Sequence, residues 1–130
     1  MSLALVDTDI LIDFAGQVQD ASDTLTDIER RSILAISAIT ELELLVGCRN
    51  KVELQKTDRL LERFQIIPLN EQVSNLANSL IRKYRLSHGL LLADALIAAT
   101  ALVLECDFIT KNQRDYRFIE NLNLLSYPLK

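Results

Sequence analysis

Four stretches of this 130-residue chain set acidic residues directly after, or inside, apolar runs. Asp7-Thr8-Asp9 follows Leu3-Ala4-Leu5-Val6. Ser37, Thr40, Glu41 and Glu43 follow Ile33-Leu34-Ala35-Ile36. Asp94 is the sole ionisable group between Gly89 and Leu104, and Thr110-Lys111-Asn112 with Asp115 follows Phe108-Ile109. Two ionised acids ~4 Å apart repel by about 4 kcal/mol at an effective dielectric of ~20, so converging acids share a proton or bind a hard cation. Oxygen ligands without cysteine or histidine select Mg²⁺ or Mn²⁺. Such a site can activate water and offset charge on a phosphate during in-line displacement.

Other chemistries are poorly supplied. His88 is the one histidine and precedes Gly89, which excludes a His-rich zinc site, and a Ser-His-Asp triad unless His88 itself serves. There is no glycine-rich phosphate loop. Cys48 and Cys106 have no short metal-ligand spacing and read as thiols of an intracellular chain. Each acid also has an ordinary reading. Asp7 can end a strand, Asp9 and Asp94 can cap helices, Asp13 suits an exposed helix face, and Asn112 and Asp115 suit a loop and cap. Glu41 and Glu43 point about 200° apart on a helix, so one of them at most faces a site. Periodicity does not choose, although Glu43 shares its side with Thr40 and Gly47.

The apolar runs at 3–6, 33–36, 65–67 and 108–109, with a weaker one at 124–125, suit short strands buried on both faces. Helical spacing lies between them. Residues 38–47 place Ile39, Leu42, Leu45 and Val46 on one stripe behind a Ser37 N-cap. Residues 52–64 and 70–85 are amphipathic, and 93–104 is apolar nearly all round, which predicts burial. Residues 15–32 read as a helix and loop with Asp20, Asp23 and Asp27 solvated. Strands alternating with helices predict a parallel α/β sheet. In such sheets ligands bind outside the carboxyl ends of the strands, where the acids fall.

Composition sets the outer limits. The chain is 49% hydrophobic and 25% charged, with 14 Lys+Arg against 18 Asp+Glu. The length suits one domain with its own core. A net charge of −4 disfavours a protein that coats nucleic acid by phosphate neutralisation alone. The start carries Asp7, Asp9 and Asp13 and no basic region, unlike a signal peptide. Residues 90–104 fall short of the roughly 20 apolar residues a bilayer needs. The expectation is a cytoplasmic chain with no membrane partner.

Taken together, the motifs resemble a known family. Val6-Asp7-Thr8-Asp9-Ile10-Leu11-Ile12-Asp13 resembles the opening motif of PIN-domain ribonucleases, especially VapC toxins of bacterial toxin–antitoxin pairs. Ser37-Ala38-Ile39-Thr40-Glu41-Leu42-Glu43-Leu44-Leu45-Val46-Gly47 is similar to the second motif, and Ala93-Asp94-Ala95-Leu96-Ile97 to the third. Thr110-Lys111-Asn112-Gln113-Arg114-Asp115-Tyr116 resembles the fourth, Thr-x-Asn-x-x-Asp-aromatic. Each motif alone is weak, and four in order are specific.

The resemblance implies a single PIN-like domain over residues 1–130, a three-layer α/β/α sandwich with a central parallel sheet. It assigns Asp7, Asp94 and Glu43 as metal ligands, Glu43 rather than Glu41 taking the second-motif position. Asn112 or Asp115 fills a fourth acidic role, and Thr8, Asp9, Ser37 and Thr40 give polar support. It implies Mg²⁺- or Mn²⁺-dependent hydrolysis of RNA, a homodimer, and a cognate antitoxin lying over the site. Two loose groups of bases could steer RNA: Arg49, Lys51, Lys56, Arg59 and Arg63, and Arg82, Lys83 and Arg85. Two alternatives stand beside this. One is a non-catalytic PIN-like binding module, because Asn112 replaces an acid. The other is a haloacid-dehalogenase-type phosphotransferase using Asp7 and Asp9, although Leu11 departs from that motif.

Overall fold

Short apolar strands become stable when both faces are covered, and this chain covers them with helices from either side. The computed structural model describes residues 2–129. The chain runs β1 (Leu3–Val6), α1 (Thr8–Ala15), α2 (Gln19–Glu29), β2 (Ile33–Ser37), α3 (Ala38–Val46) and α4 (Lys51–Leu61). It continues through β3 (Gln65–Ile67), α5 (Glu71–His88), α6 (Leu92–Leu104), β4 (Asp107–Ile109), a 3₁₀ turn at Gln113–Asp115, and β5 (Asn123–Leu125). The strands form one sheet in the order β3-β2-β1-β4-β5. Every pairing is parallel, with Leu5 opposite Ala35 on one side and Phe108 on the other.

Alternation along β1 separates two cores. Ala4 and Val6 pack with Leu34, Ile36 and Ile109 beneath Ile10, Leu11, Leu25 and Ile28 of α1 and α2. Leu5 packs with Ala35 and Phe108 beneath Val73, Ala77 and Leu80 of α5 and Ile97, Ala98 and Ala101 of α6. The result is the expected α/β/α sandwich. Local chemistry marks the helix ends. Asn70 Oδ1 accepts from the Val73 amide at 2.9 Å to start α5, and Asn50 Oδ1 does the same for Glu53 in α4 at 2.9 Å. Gly89 ends α5 at φ 72°, a left-handed conformation in which a side chain would be strained.

Three sequence-based expectations change. The α3 stripe faces the core only in part: Ile39 packs against it, but Leu42 and Val46 are exposed, Val46 at 85%, while Thr40 is buried. The helix lies against the carboxyl end of the sheet, so its small polar side packs as well. Within the span 93–104, helix α6 buries Ala95 and Ile97 to Ala101, as expected, but leaves Leu104 36% exposed at its end. Asp13 is not a free surface charge; it pairs with Lys111 Nζ at 3.0 Å. Residues 15–32 are as expected, with Ala21, Leu25 and Ile28 inward and the three aspartates exposed.

Leu5 is fully buried in the central strand. Leu5→Ala should destabilise by about 3 kcal/mol in urea unfolding, whereas Leu86→Ala at a fully exposed position should stay within about 0.5 kcal/mol.

Candidate active site at the sheet switch point

The strand order reverses direction beside β1, where the chain returns to add β4 on the side away from β2. This switch point opens a crevice at the carboxyl ends of β1 and β4. Asp7 follows β1 directly, and its amide donates to the Ile109 carbonyl at 2.9 Å, extending the ladder by one residue. It is also the N-cap of α1: its Oδ1 accepts from the Thr8 amide at 2.8 Å. Its side chain lies within the protein, the residue being 6% exposed. From the end of β4, the Thr110 hydroxyl donates to Asp7 Oδ2 at 2.7 Å.

Asp9 takes neither the helix-cap role nor an open position in the pocket. Its Oδ2 accepts from the Asn112 amide at 3.0 Å and lies 3.1 Å from the Thr110 hydroxyl, and its Oδ1 accepts from the Lys111 amide at 3.3 Å. Asp9 therefore clamps the loop after β4, helped by the Asp13–Lys111 pair. Across the pocket, Asp94 sits in the first turn of α6, whose N-cap is Leu91, so it is not a cap either. Its Oδ1 accepts from the Tyr116 hydroxyl at 3.0 Å. Tyr116 is buried and its ring packs edge-on against Phe108, 4.8 Å between centroids.

Helix α3 supplies the third acid. Ser37 caps it through the Ile39 amide at 3.1 Å, which sets the phase that carries Glu43 toward α1. The Thr8 hydroxyl donates to Glu43 Oε1 at 2.7 Å and meets the Thr40 hydroxyl at 3.0 Å. Glu43, not Glu41, is thus joined to the pocket, a choice that periodicity left open. Asn112 reaches the network through its backbone, while exposed Asp115 is felt by Asp94 as charge.

The electrostatics reflect crowding of like charge. Burial, then the charge of Asp9, push the Asp7 carboxyl up to about 7, against the lowering pull of the Thr110 and Thr8 hydrogen bonds. Asp94 is also raised, by burial and then by repulsion from Asp115, Glu43 and Asp9, with the Tyr116 bond opposing. Burial and the charges of Asp7 and Asp94 keep the Tyr116 phenol protonated and donating. One further constraint follows from proton counting. The Thr110 hydroxyl has one hydrogen but faces two carboxylates, so both contacts are full hydrogen bonds only when one of the two acids carries a proton.

Among the described residues, no three His, Cys, Asp or Glu side chains stand together closely enough to hold one metal ion. The donor set is nonetheless all hard oxygen. Mg²⁺ typically takes one or two carboxylates and completes its shell with water and phosphate oxygens, and the raised Asp7 and Asp94 mark where positive charge is missing. Two contributors escaped the sequence reading. Thr110 and Tyr116 were visible as motif residues, but which acid each one touches depends on the β1–β4 pairing and on the path of the loop. Beside the acids, a cleft of about 1040 Å³ runs between α1, α3 and α4, lined by Ile12, Phe14, Leu44, Cys48, Lys56 and Leu60, with Glu43 also in its wall.

Fold and site define an α/β/α protein with an acidic pocket at the switch point of a parallel sheet. The chain belongs to the PIN-domain family, whose model matches residues 4–120. It is 36% identical over 121 residues to Ribonuclease VapC10 of Mycobacterium tuberculosis, covering 92% of this chain and 90% of that one. It superposes on a chain of a toxin–antitoxin complex from Klebsiella pneumoniae with TM-score 0.78 at 30% identity, covering 98% of both chains. A chain of VapBC2 from Rickettsia felis, bound to a DNA fragment from their promoter, gives TM-score 0.81 at 24% identity over 94% and 96% of the two chains, a likeness of fold. The family match leaves the haloacid-dehalogenase-type reading without support, and Asp9 is occupied by the loop it clamps.

A carboxyl raised in the fold favours the folded state only while it is protonated. In metal-free protein the Asp7 contribution is present below pH ~4, the ordinary range of an unfolded aspartate, and is lost as pH rises through about 7. The urea midpoint should therefore fall between pH 5 and pH 8. Asp7→Asn should flatten that fall and exceed the wild type at pH 8 by up to about 4 kcal/mol; an equal fall in the variant would place the titration elsewhere.

Proposed function

We propose that this chain is a Mg²⁺- or Mn²⁺-dependent endoribonuclease, the toxin of a toxin–antitoxin pair acting in the cytoplasm. The observation that carries this reading is the convergence of two carboxylates with raised pKa, buried Asp7 and half-buried Asp94, at the switch point of the sheet. Asp7 and Asp94 would hold the cation directly. Glu43 stands one hydroxyl away, through Thr8, and the Ser37-capped helix with Thr40 keeps it there. When bound, the divalent ion supplies a Lewis acid that lowers the pKa of water and offsets charge on the phosphate.

The residues of the chain do the rest. Tyr116 donates to Asp94 and so fixes which carboxylate oxygen faces the pocket. Thr110 and the Thr8 amide fix Asp7 in the same way. Asn112 and Asp115 are carried on the loop that Asp9 clamps, where Asn112 offers its amide to the RNA and Asp115 receives the proton that leaves the water. Attack of the water oxygen on phosphorus, in line with the bond to the 3′ oxygen, breaks that bond, and the departing 3′ oxygen takes a proton from solvent, which leaves a 5′-phosphate and a 3′-hydroxyl.

The cleft between α1, α3 and α4 fits the antitoxin. Its apolar floor of Ile12, Phe14, Leu44 and Leu60 suits a helix laid in a groove, and Glu43 at its wall brings that helix to the edge of the pocket. The exposed Leu42 and Val46 on α3 and Val52 on α4 are apolar surface of the kind a homodimer covers.

Purified chain freed of partner should cleave structured RNA with Mg²⁺ or Mn²⁺ and stop with EDTA. Asp94→Asn should lower the rate about 100-fold or more, and Tyr116→Phe about 10- to 100-fold with metal affinity weakened in step. Cleavage that survives both EDTA and Asp94→Asn sinks the proposal. Antitoxin binding with no metal affinity would instead identify a non-catalytic module.

A further inference from the structure

Beyond the acidic pocket, one exposed aromatic ring is held more firmly than exposure requires. His88, the last residue of α5, stacks on Phe118 with ring centroids 4.2 Å apart and planes 14° from parallel. Its Nδ1 lies 2.7 Å from the Ser87 hydroxyl, and its ring meets Tyr84 edge-on at 5.8 Å. Tyr84 packs on Phe118 at 5.1 Å, and its hydroxyl accepts from the Glu120 amide at 3.3 Å. Three contacts fix the imidazole while the residue stays open to solvent. A flat ring presented to water and backed by a second ring is the arrangement on which an unstacked nucleobase rests.

The segments that carry this stack, α5 and the loop before Phe118, also carry arginines without acid partners. Lys83 is tied to Glu120 at 3.1 Å, but Arg82, Arg85, Arg114 and Arg117 make no ion pair among the described residues. Arg85 Nη1 donates to the carbonyls of Gly89 and Leu90, bracing the turn that carries His88 into α6. The other group of bases is partly spent, since Arg49 pairs with Glu53 at 2.7 Å and Arg63 with Glu29 at 3.1 Å. Both arms of the aromatic cluster also lead into the pocket. The turn after His88 opens the helix bearing Asp94, and Phe118 follows closely on Tyr116, which donates to Asp94.

We propose that His88, backed by Phe118 and flanked by Arg85, Arg114 and Arg117, is a docking platform for single-stranded RNA beside the acidic pocket. One base stacks on the imidazole, and neighbouring phosphates meet the guanidinium groups. This rests on reading the pocket as a ribonuclease site. It resolves a difficulty of that reading, because a pocket of carboxylates repels RNA and affinity has to come from next to it. An acidic protein segment could meet the same arginines but gains nothing from a rigid flat ring.

The test is binding of a short fluorescently labelled single-stranded RNA to the full chain, read by anisotropy in EDTA so that nothing is cut. His88→Ala should weaken binding about tenfold, and His88→Phe should restore it, with melting temperatures unchanged. The Arg114→Ala, Arg117→Ala double variant should lower the slope of log Kd against log salt by about one to two. Arg31→Ala, at the far end of the sheet, should bind as wild type does. Absence of RNA binding, or His88→Ala binding within about twofold of wild type, overturns the platform. So does polyglutamate binding that depends on the arginines and is as tight as RNA. Cleavage with Mn²⁺, measured separately, distinguishes the two claims. Cleavage with an indifferent His88→Ala removes only the platform, and platform-dependent binding without cleavage removes only the nuclease.

Discussion

Keeping a carboxylate out of water, next to other carboxylates, is the dominant cost in this molecule, and the pocket is organised to meet it. Asp7 is almost wholly buried at the end of the central strand, and that burial, with the charge of Asp9 added, pushes its pKa up to about 7. An isolated buried charge would be prohibitive, so the group must be neutral, hydrogen-bonded or beside a cation. The structure supplies the hydrogen bonds from three independent directions. The Thr8 amide comes from α1, the Thr110 hydroxyl from the end of β4, and for Asp94 the Tyr116 hydroxyl comes from the loop beyond. What those donors do not supply is positive charge.

The same constraint explains why the sheet order matters. Placing β1 between β2 and β4 brings the ends of three strands together, so that residues from α1, α3 and the β4 loop share one crevice. The loop after β4 is then held by acid clamps rather than by apolar packing: Asp9 binds two of its amides and Asp13 its lysine. Asp9 and Asp13 are thereby used to hold the frame that positions Asp7 and the Tyr116 partner of Asp94. Removing charge there would loosen the loop carrying Asp115 and Tyr116.

The net charge of −4 reads differently once its distribution is known. Asp7, Asp9, Glu43 and Asp94 are concentrated around one pocket, and several surface acids cancel bases, as Glu29, Glu53 and Glu120 do. Of the arginines without acid partners among the described residues, Arg82 and Arg85 share α5 with His88, Arg114 and Arg117 precede Phe118 in the loop after β4, and Arg31 and Arg59 stand elsewhere. A chain that is acidic overall can thus carry local surfaces suited to an anionic polymer, because recognition depends on which charges are uncancelled rather than on their sum.

Much of this was legible in the residues. Apolar runs without alternation predicted strands buried on both faces, which holds for β1, most of β2 and β4 but not for the edge strands β3 and β5; Ser37 predicted the start of α3, and four spaced acidic motifs predicted which carboxylates gather. These are properties of short segments, set by backbone hydrogen bonding and side-chain period, so a linear reading reaches them. The partners of the acids were not legible. That Asp9 turns to the β4 loop, that Tyr116 reaches Asp94, and that α3 leaves Leu42 and Val46 in solvent all depend on strand pairing between distant parts of the chain. Residue types and their order were enough to say that carboxylates would meet. Which hydroxyl stands against which carboxylate, and how far burial raises each pKa, is a matter of distance and water exclusion, and those exist only after the sheet has closed.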